Sequence, residues 1–473
     1  MKLVLGVFLS LGLLAAQQLS VPTATSKKIV LSWTGAQPGT TLQRKSGAAF
    51  EKLADAASGS FTDDKIAPFG TYQYRLAGAK GTYSKVVTVG PPPLGVNVVS
   101  RVPNGVDPAN YGKAAALTAD ENGDPAVAFV WEDPNNDQNR DDTAVYFSRW
   151  NRATYSWRDP VQVGVSGDIS AGNSHLVSVA CDPATGAFAI AYPKHDQNGA
   201  LIAISTDGGA TWRSTSVAGN LDGEVFSLGI VTNGGQWLAA IHANRGTQFL
   251  TGAISDPPGQ WKSQAPPADT RIEHKIAIAP DASGGAIVAF WSKPEHGDNG
   301  HIILWDPLSG KLTTTVDSNG QDCEDPDVRL NIAGATTRIL MDCPRDPNEE
   351  RQGIWYAAST PSGGWSTPVQ LPVDGPRSTN SPMGLAVSAT GKLAAAFASG
   401  SGSAGTGCGF PVVARSTDGM NWTACGPGKR AGGDFEVNSS AIDASYTADG
   451  HLNVLWHDET DAKYGKGILL WRE

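Results

Sequence analysis

HKIAIAPD (274–281) followed by GAIVAFW (285–291) is the stretch that decides the fold. Two short apolar runs, rich in β-formers and broken by Asp-Ala-Ser-Gly, read as a β-hairpin. The same pair recurs upstream as KAAALTAD (113–120) with PAVAFVW (125–131), and as HLVSVACD (175–182) with GAFAIAY (186–192). Equivalent first strands begin near Val225, Asp327, Met383 and Ile442.

Each hairpin is followed by a polar loop, a third strand, a turn and a fourth strand, with a repeat length of about 55 residues. Four-stranded units at that period predict an all-β fold, a β-propeller with one sheet per unit. Seven hairpins predict seven blades; six is the alternative if one hairpin is spurious. The last unit, with strands at 442–449, 451–456 and 467–472, lacks a fourth strand, which Val96–Val102 can supply. Borrowing that strand would close the ring and leave no exposed edge.

Composition agrees with this reading. Gly (55) and Pro (30) are frequent and charged residues make up only 17%, which excludes a helical bundle or coiled coil. A net charge of −10 argues against a nucleic-acid binder, which needs a basic footprint. The charge is uneven. Residues 19–90 carry nine Lys and Arg against four Asp and Glu, a net of +5.

That basic segment holds IVLSW (29–33), TYQYRL (71–76) and SKVVTV (84–89), alternating runs that predict a small antiparallel sandwich with Trp33 and one of Tyr72 or Tyr74 as anchors. Residues 19–90 resemble a fibronectin type III domain, including the late Tyr-x-Tyr-x-Leu run. Pro91-Pro92-Pro93 marks residues 91–94 as a stiff linker to a propeller over 95–473.

Residues 1–16 read as a secretory signal peptide: Lys2, an apolar run from Leu3 to Leu14, then Ala15-Ala16. The expected location is therefore secreted or periplasmic, without a membrane span. Export makes disulfides available, and the hairpin positions pair Cys323 with Cys343 and Cys408 with Cys425, leaving Cys181 as a buried free thiol.

Two third-to-fourth-strand turns share a pattern. Ser205-Thr-Asp207-Gly-Gly209-Ala-Thr-Trp212 and Ser416-Thr-Asp418-Gly-Met-Asn-Trp422 resemble the Asp-box of sialidase-like (BNR) propellers, the second one residue short. In such a turn the Asp accepts backbone N–H groups, Gly supplies positive φ and Trp packs into the blade. The resemblance implies an N-terminal fibronectin III-like β-sandwich followed by a seven-bladed (alternatively six-bladed) sialidase-like β-propeller.

In a meander the loops opposite these turns share one rim, and here they are long and polar. Two columns converge there. First-strand starts give Lys113, His175, His274 and Asp327; second-strand ends give Trp131, Tyr192, His242, Trp291, Asp342 and Trp456. Convergent ionisable groups in a cleft can form a site, or they can be solvated channel residues. Aromatic rings can stack on sugar faces, or they can be wedges between blades. Asp133, Glu295, Asp327 and Asp342 are the candidate catalytic carboxylates for glycoside hydrolysis.

A true sialidase needs an arginine triad and a Tyr–Glu pair. Arg101-Val-Pro stands one element early for the family's first arginine, and Arg271, Arg377, Arg430 and Tyr464 are its other possible parts. Asp133-Pro-Asn135-Asn-Asp137-Gln-Asn139 has the alternating oxygens of a calcium loop without the Gly and Glu of an EF-hand; no other cofactor or metal site is expected. The expected function is a monomeric carbohydrate-directed protein that engages extracellular glycans or glycoproteins, with or without hydrolase activity. The alternative is a non-catalytic interaction scaffold, and an exo-sialidase is the third reading.

Overall fold

A computed structural model describes residues 17–79, 81–102, 114–132, 143–166, 176–194, 199–217, 221, 223–268, 270–292, 301–317, 327–343, 353–372, 383–397, 411–424, 441–458 and 466–473. The chain divides into two compact units, residues 1–92 with 151–156 and residues 93–150 with 157–473.

The first unit contains β1 (Gln18–Ala24), β2 (Ile29–Thr34), β3 (Thr41–Ser46), β4 (Ala49–Asp55), β5 (Ser60–Asp63), β6 (Tyr72–Ala77) and β7 (Val87–Val89). They form two antiparallel sheets, β1-β2-β5 and β4-β3-β6-β7. Alternate residues Ile29, Leu31 and Trp33 of the first sheet meet Leu42, Tyr74, Leu76 and Val89 of the second in one core. The period-2 pattern of each run thus selects its buried face. Of the two tyrosines, Tyr74 is fully buried and donates to Asp63 at 2.8 Å, while Tyr72 accepts the Ala67 N–H at 2.5 Å.

The second unit opens with β8 (Gly95–Arg101). The next strands are β9 (Ala115–Ala119), β10 (Pro125–Glu132), β11 (Thr143–Asn151), β12 (Ser156–Trp157) and β13 (Val161–Ser166), a meander with β12 as a two-residue addition. Then come β14 (Ser178–Asp182), β15 (Ala187–Pro193), β16 (Ala200–Ser205) and β17 (Arg213–Ser216). The third sheet is β18 (Val225–Asn233), β19 (Gln236–Ala243), β20 (Gly246–Ala253) and β21 (Lys262–Gln264). The fourth is β22 (Glu273–Pro280), β23 (Ala286–Ser292), β24 (His301–Asp306) and β25 (Lys311–Asp317). The fifth is β26 (Asp327–Ala333), β27 (Thr336–Cys343), β28 (Gly353–Ala358) and β29 (Val369–Gln370). The sixth is β30 (Met383–Val387), β31 (Leu393–Phe397), β32 (Val412–Ser416) and β33 (Thr423–Ala424). The last is β34 (Ile442–Tyr446), β35 (Leu452–Asp458) and β36 (Gly467–Arg472), completed by β8 in antiparallel register.

The first strands β9, β14, β18, β22, β26, β30 and β34 each pack against the next, and β34 returns to β9. Successive sheets share apolar cores: Phe129 and Trp131 with Leu455 and Ile468, Trp291 with Val328 and Met341, and Leu340 with Met383 and Leu385. Meanders stacked face to face around their first strands constitute a β-propeller. Small residues bring those strands close together. A Cβ at Gly384 of β30 would fall on the Asp443–Ala444 backbone of β34.

Cys181 is a buried free thiol, its ionisation pushed up by burial. Cys323, Cys408 and Cys425 lie outside the described residues and Cys343 is described only as the end of β27, so the expected disulfides fall outside what the structure describes. The segment 1–16 also lies outside it. No helix among the described residues is long and apolar enough to cross a membrane.

Candidate functional site

Asp327 begins β26 and Asp342 lies near the end of β27, and the two are direct cross-strand partners. They therefore share a sheet face and the rim opposite the β26–β27 turn. Arg329, two residues along β26, takes the same face by alternation; its Nη1 donates to Asp327 Oδ1 at 3.0 Å. Leu340 separates Asp342 from the turn on that face and packs on Met383 and Leu385, so the pair looks toward β30. Both aspartates are buried, at 2% and 1% exposure.

Arg329 also reaches a cavity of about 230 Å3 framed by the first strands, with Leu117, Ser178, Ile230, Ile276 and Asp443 in its wall. Asp443 is buried. Its Oδ2 accepts the Leu117 N–H at 2.9 Å and its Oδ1 accepts the Ala444 N–H at 2.8 Å. Burial pushes its carboxyl up, against the opposing pull of those bonds and of Arg329. An acid–base series, Asp342, Asp327, Arg329, Asp443, thus descends from the rim into the centre.

Aromatic residues of the rim column do not form an open platform. Trp131, Tyr192, Trp291 and Trp456 are all buried. Trp131 packs on Phe129 and Tyr146 with ring centroids 5.1 and 4.5 Å away, and Trp291 and Trp456 lie in inter-sheet cores. Tyr192 donates to Ser214 at 2.8 Å and fills the space that Gly164 leaves open. Their assignment as sugar-stacking residues is corrected accordingly: bulky apolar side chains at these positions are wedges that seal adjacent sheets. His242 is buried too, with Nδ1 2.7 Å from Thr247 Oγ1 and its ring 5.6 Å from Phe226.

Lys113, Asp133, His175 and Glu295 lie outside the described residues, as do Arg377, Arg430, Tyr464 and the calcium-like segment 133–139. His274 is placed in β22, without a described side chain. Arg101 ends β8 and is exposed, and Arg271 precedes β22 and is exposed. Among the described residues no group of three or more His, Cys, Asp or Glu could hold a metal ion. Reading only strand starts and ends misses Arg329 and Asp443, although the alternation of β26 from Asp327 would have found the first.

The two Ser-x-Asp turns have matching hydrogen bonds. Asp207 Oδ1 accepts the N–H groups of Ala210 and Thr211 at 3.0 and 2.9 Å, and Asp418 Oδ1 those of Met420 and Asn421 at 2.9 and 2.8 Å. Bonds from Thr211 hold the Asp207 carboxyl well below the usual carboxylate range, and bonds from Asn421 do the same for Asp418. Ser205 Oγ accepts Gly209 N–H at 2.8 Å and Ser416 Oγ accepts Gly419 N–H at 2.9 Å. Trp212 and Trp422 donate to Gly209 and Gly419 carbonyls at 3.2 and 3.0 Å. Each ring then meets an aromatic on the third strand of the preceding sheet, Phe147 at 5.0 Å and Tyr356 at 5.1 Å. The missing residue in the second turn leaves this network intact.

No protein-family model and no curated protein matches the chain. Among solved structures, an α-L-arabinanase from Penicillium chrysogenum is 13% identical with a TM-score of 0.43, covering 65% of this chain and 94% of its own. A Hadza microbial sialidase is 12% identical with a TM-score of 0.41, covering 96% and 91%. YCF48 from Cyanidioschyzon merolae is 14% identical with a TM-score of 0.41, covering 80% and 98%.

Proposed function

We propose that the chain is an exported protein, a fibronectin type III-like domain followed by a seven-bladed sialidase-like propeller, that engages extracellular glycan or glycoprotein at the rim holding Asp327 and Asp342. The observation that carries this reading is the cross-strand pairing of two buried carboxylates with an arginine 3.0 Å from one of them. Two carboxylates flanking a bond are the requirement for glycoside hydrolysis. Cross-strand partners have Cβ atoms about 4.5–5.5 Å apart. Carboxyl groups carried on such partners can stand at the ~5–5.5 Å of pairs that work through a covalent glycosyl intermediate. With Arg329 on Asp327, that carboxylate takes the part of the nucleophile. Asp342 gives its proton to the leaving oxygen and then draws one from the attacking water.

A glycan array and a panel of fluorogenic glycosides, read with the full chain, test the reading. Asp327→Asn and Asp342→Asn should each lower kcat by at least about 100-fold with an unchanged circular-dichroism spectrum. Unaltered rates would remove these carboxylates from the chemistry. The burial of Trp131, Tyr192, Trp291 and Trp456 favours a second reading, a non-catalytic interaction scaffold. It is preferred if the array and the panel are both silent. Turnover confined to sialosides would select the exo-sialidase reading instead.

A further inference from the structure

The outer face of the β4-β3-β6-β7 sheet carries a set of polar groups that the fold itself does not use. Leu42, Tyr74 and Leu76 turn inward, so Gln43, Lys45, Gln73 and Arg75 turn outward. Gln43 stands opposite Arg75, Lys45 opposite Gln73, and Lys45 opposite Phe50 on the other side. The Arg75 guanidinium lies between two rings, its carbon 4.0 Å from the centroids of both Phe50 and Tyr83. Its Nε donates to Gln43 Oε1 at 2.8 Å. The guanidinium is thus fixed on both faces and at one corner, while its Nη groups form no other hydrogen bond among the described residues. Lys45 makes no ion pair there either, and Tyr83 is 56% exposed.

Two of the four acids in residues 19–90 are held by other cations, and the remaining two, Glu51 and Asp64, are exposed. Asp63 is bound by Arg44 at 2.7 Å and Asp55 by Lys52 at 2.8 Å. Residues 19–90 keep a net charge of +5 in a chain of −10.

We propose that this face binds an anionic polysaccharide, with Arg75 holding one carboxylate or sulfate in a two-pronged bond and Lys45 engaging a neighbouring one. A guanidinium held between rings has already lost its rotamer freedom, so little more is lost on binding, and its free edge matches a planar carboxylate. Amide groups of Gln43 and Gln73 supply hydroxyl partners beside it, and Tyr83 offers an exposed ring. A polymer with one charge per sugar suits two fixed cations among neutral amides. Nucleic acid, with a denser charge, needs a larger basic footprint. This site is separate from Asp327 and Asp342 and does not depend on their role.

The test is affinity electrophoresis and titration calorimetry of the full chain with polygalacturonate, dextran sulfate and neutral dextran. Binding to one or both charged polymers, none to neutral dextran, and a loss of at least about tenfold in affinity for Arg75→Ala are expected. Arg75→Lys, which keeps the charge but not the fork, should recover only part of the binding, and Lys45→Ala should weaken it less than Arg75→Ala. Unchanged melting temperatures show that the variants fold. Equal binding by wild type and Arg75→Ala, or no binding of any charged polymer, overturns the proposal. Duplex DNA bound as tightly as the polysaccharide and lost with the same variants overturns it in favour of a nucleic-acid surface.

Discussion

Asp443 accepts the backbone N–H of Leu117 at 2.9 Å across 326 positions of sequence, joining the last first-strand, β34, to the first, β9. Leu117 lines the central cavity on the inner edge of its sheet, where β9 has no further strand to pair with. A side chain does there what a ladder does elsewhere. Ser178 repeats the device by accepting Ile230 N–H at 3.0 Å, and Ser227 by accepting Ile276 N–H at 3.1 Å.

Asp443→Ala should therefore destabilise the chain by about 1–3 kcal/mol, the cost of leaving a buried donor unpaired. Asp443→Asn keeps one acceptor oxygen and should cost less. Urea unfolding monitored by tryptophan fluorescence checks both, and equal midpoints for Ala and wild type would contradict the role given to this carboxylate.

Gly384→Ala should lower the melting temperature by several degrees, because its methyl group would meet backbone of β34 and not a movable side chain. Overpacking of this kind costs about 1–3 kcal/mol. Gly284→Ala is the control for crowding: no atom lies near its Cβ, and its cost comes from a φ of 91° alone.

Trp291 is 1% exposed between the fourth and fifth sheets. Trp291→Ala should cost about 3–5 kcal/mol in stability. If the variant instead melts like wild type and loses sugar binding, the ring is a ligand platform and its reading as a wedge is wrong.

His457 is buried, and burial pushes its pKa down from 6.5 to about 4. Its unfolded form binds the proton first, so its contribution is complete above pH 6.5 and is lost as pH falls toward 4. The full effect is about 3 kcal/mol. Asp120 acts in the opposite sense. Burial, with Asp124 and Glu121 adding, pushes its carboxyl up from 3.8 to about 7, so its contribution is present below pH 3.8 and lost as pH rises to 7. Unfolding free energies of His457→Gln and Asp120→Asn between pH 4 and 7.5 should show slopes displaced in opposite directions from wild type. Parallel curves would exclude both assignments.

The two Ser-x-Asp turns are far apart and share no partner, so Asp207→Ala and Asp418→Ala should each lower the melting temperature and add in the double variant. A double variant no worse than either single would mean that one turn is dispensable.

Legibility in the sequence followed the range of the forces involved. The hairpins at 274–291 and 175–192 were readable because alternation and turn residues are local, and the pairing of β8 with β36 because an incomplete last meander demands a donor strand. Asp327 and Asp342 are legible as ends of neighbouring strands, whereas no strand end marks Arg329 inside one. The aromatic column shows where reading stops. Trp291 beside a polar loop has the same local sequence whether it faces solvent or a neighbouring sheet, and its burial depends on Val328 and Met341, more than 35 positions away.

Strand periods and turn chemistry alone determined that this chain is built of short antiparallel strands, where each meander begins, and which aspartates cap its tight turns, since those preferences act within a few residues. Which tryptophans are sealed between sheets, which amide Asp443 serves, and which rings hold Arg75 were decided only when distant strands came into contact, because burial and pairing depend on neighbours that no local window contains.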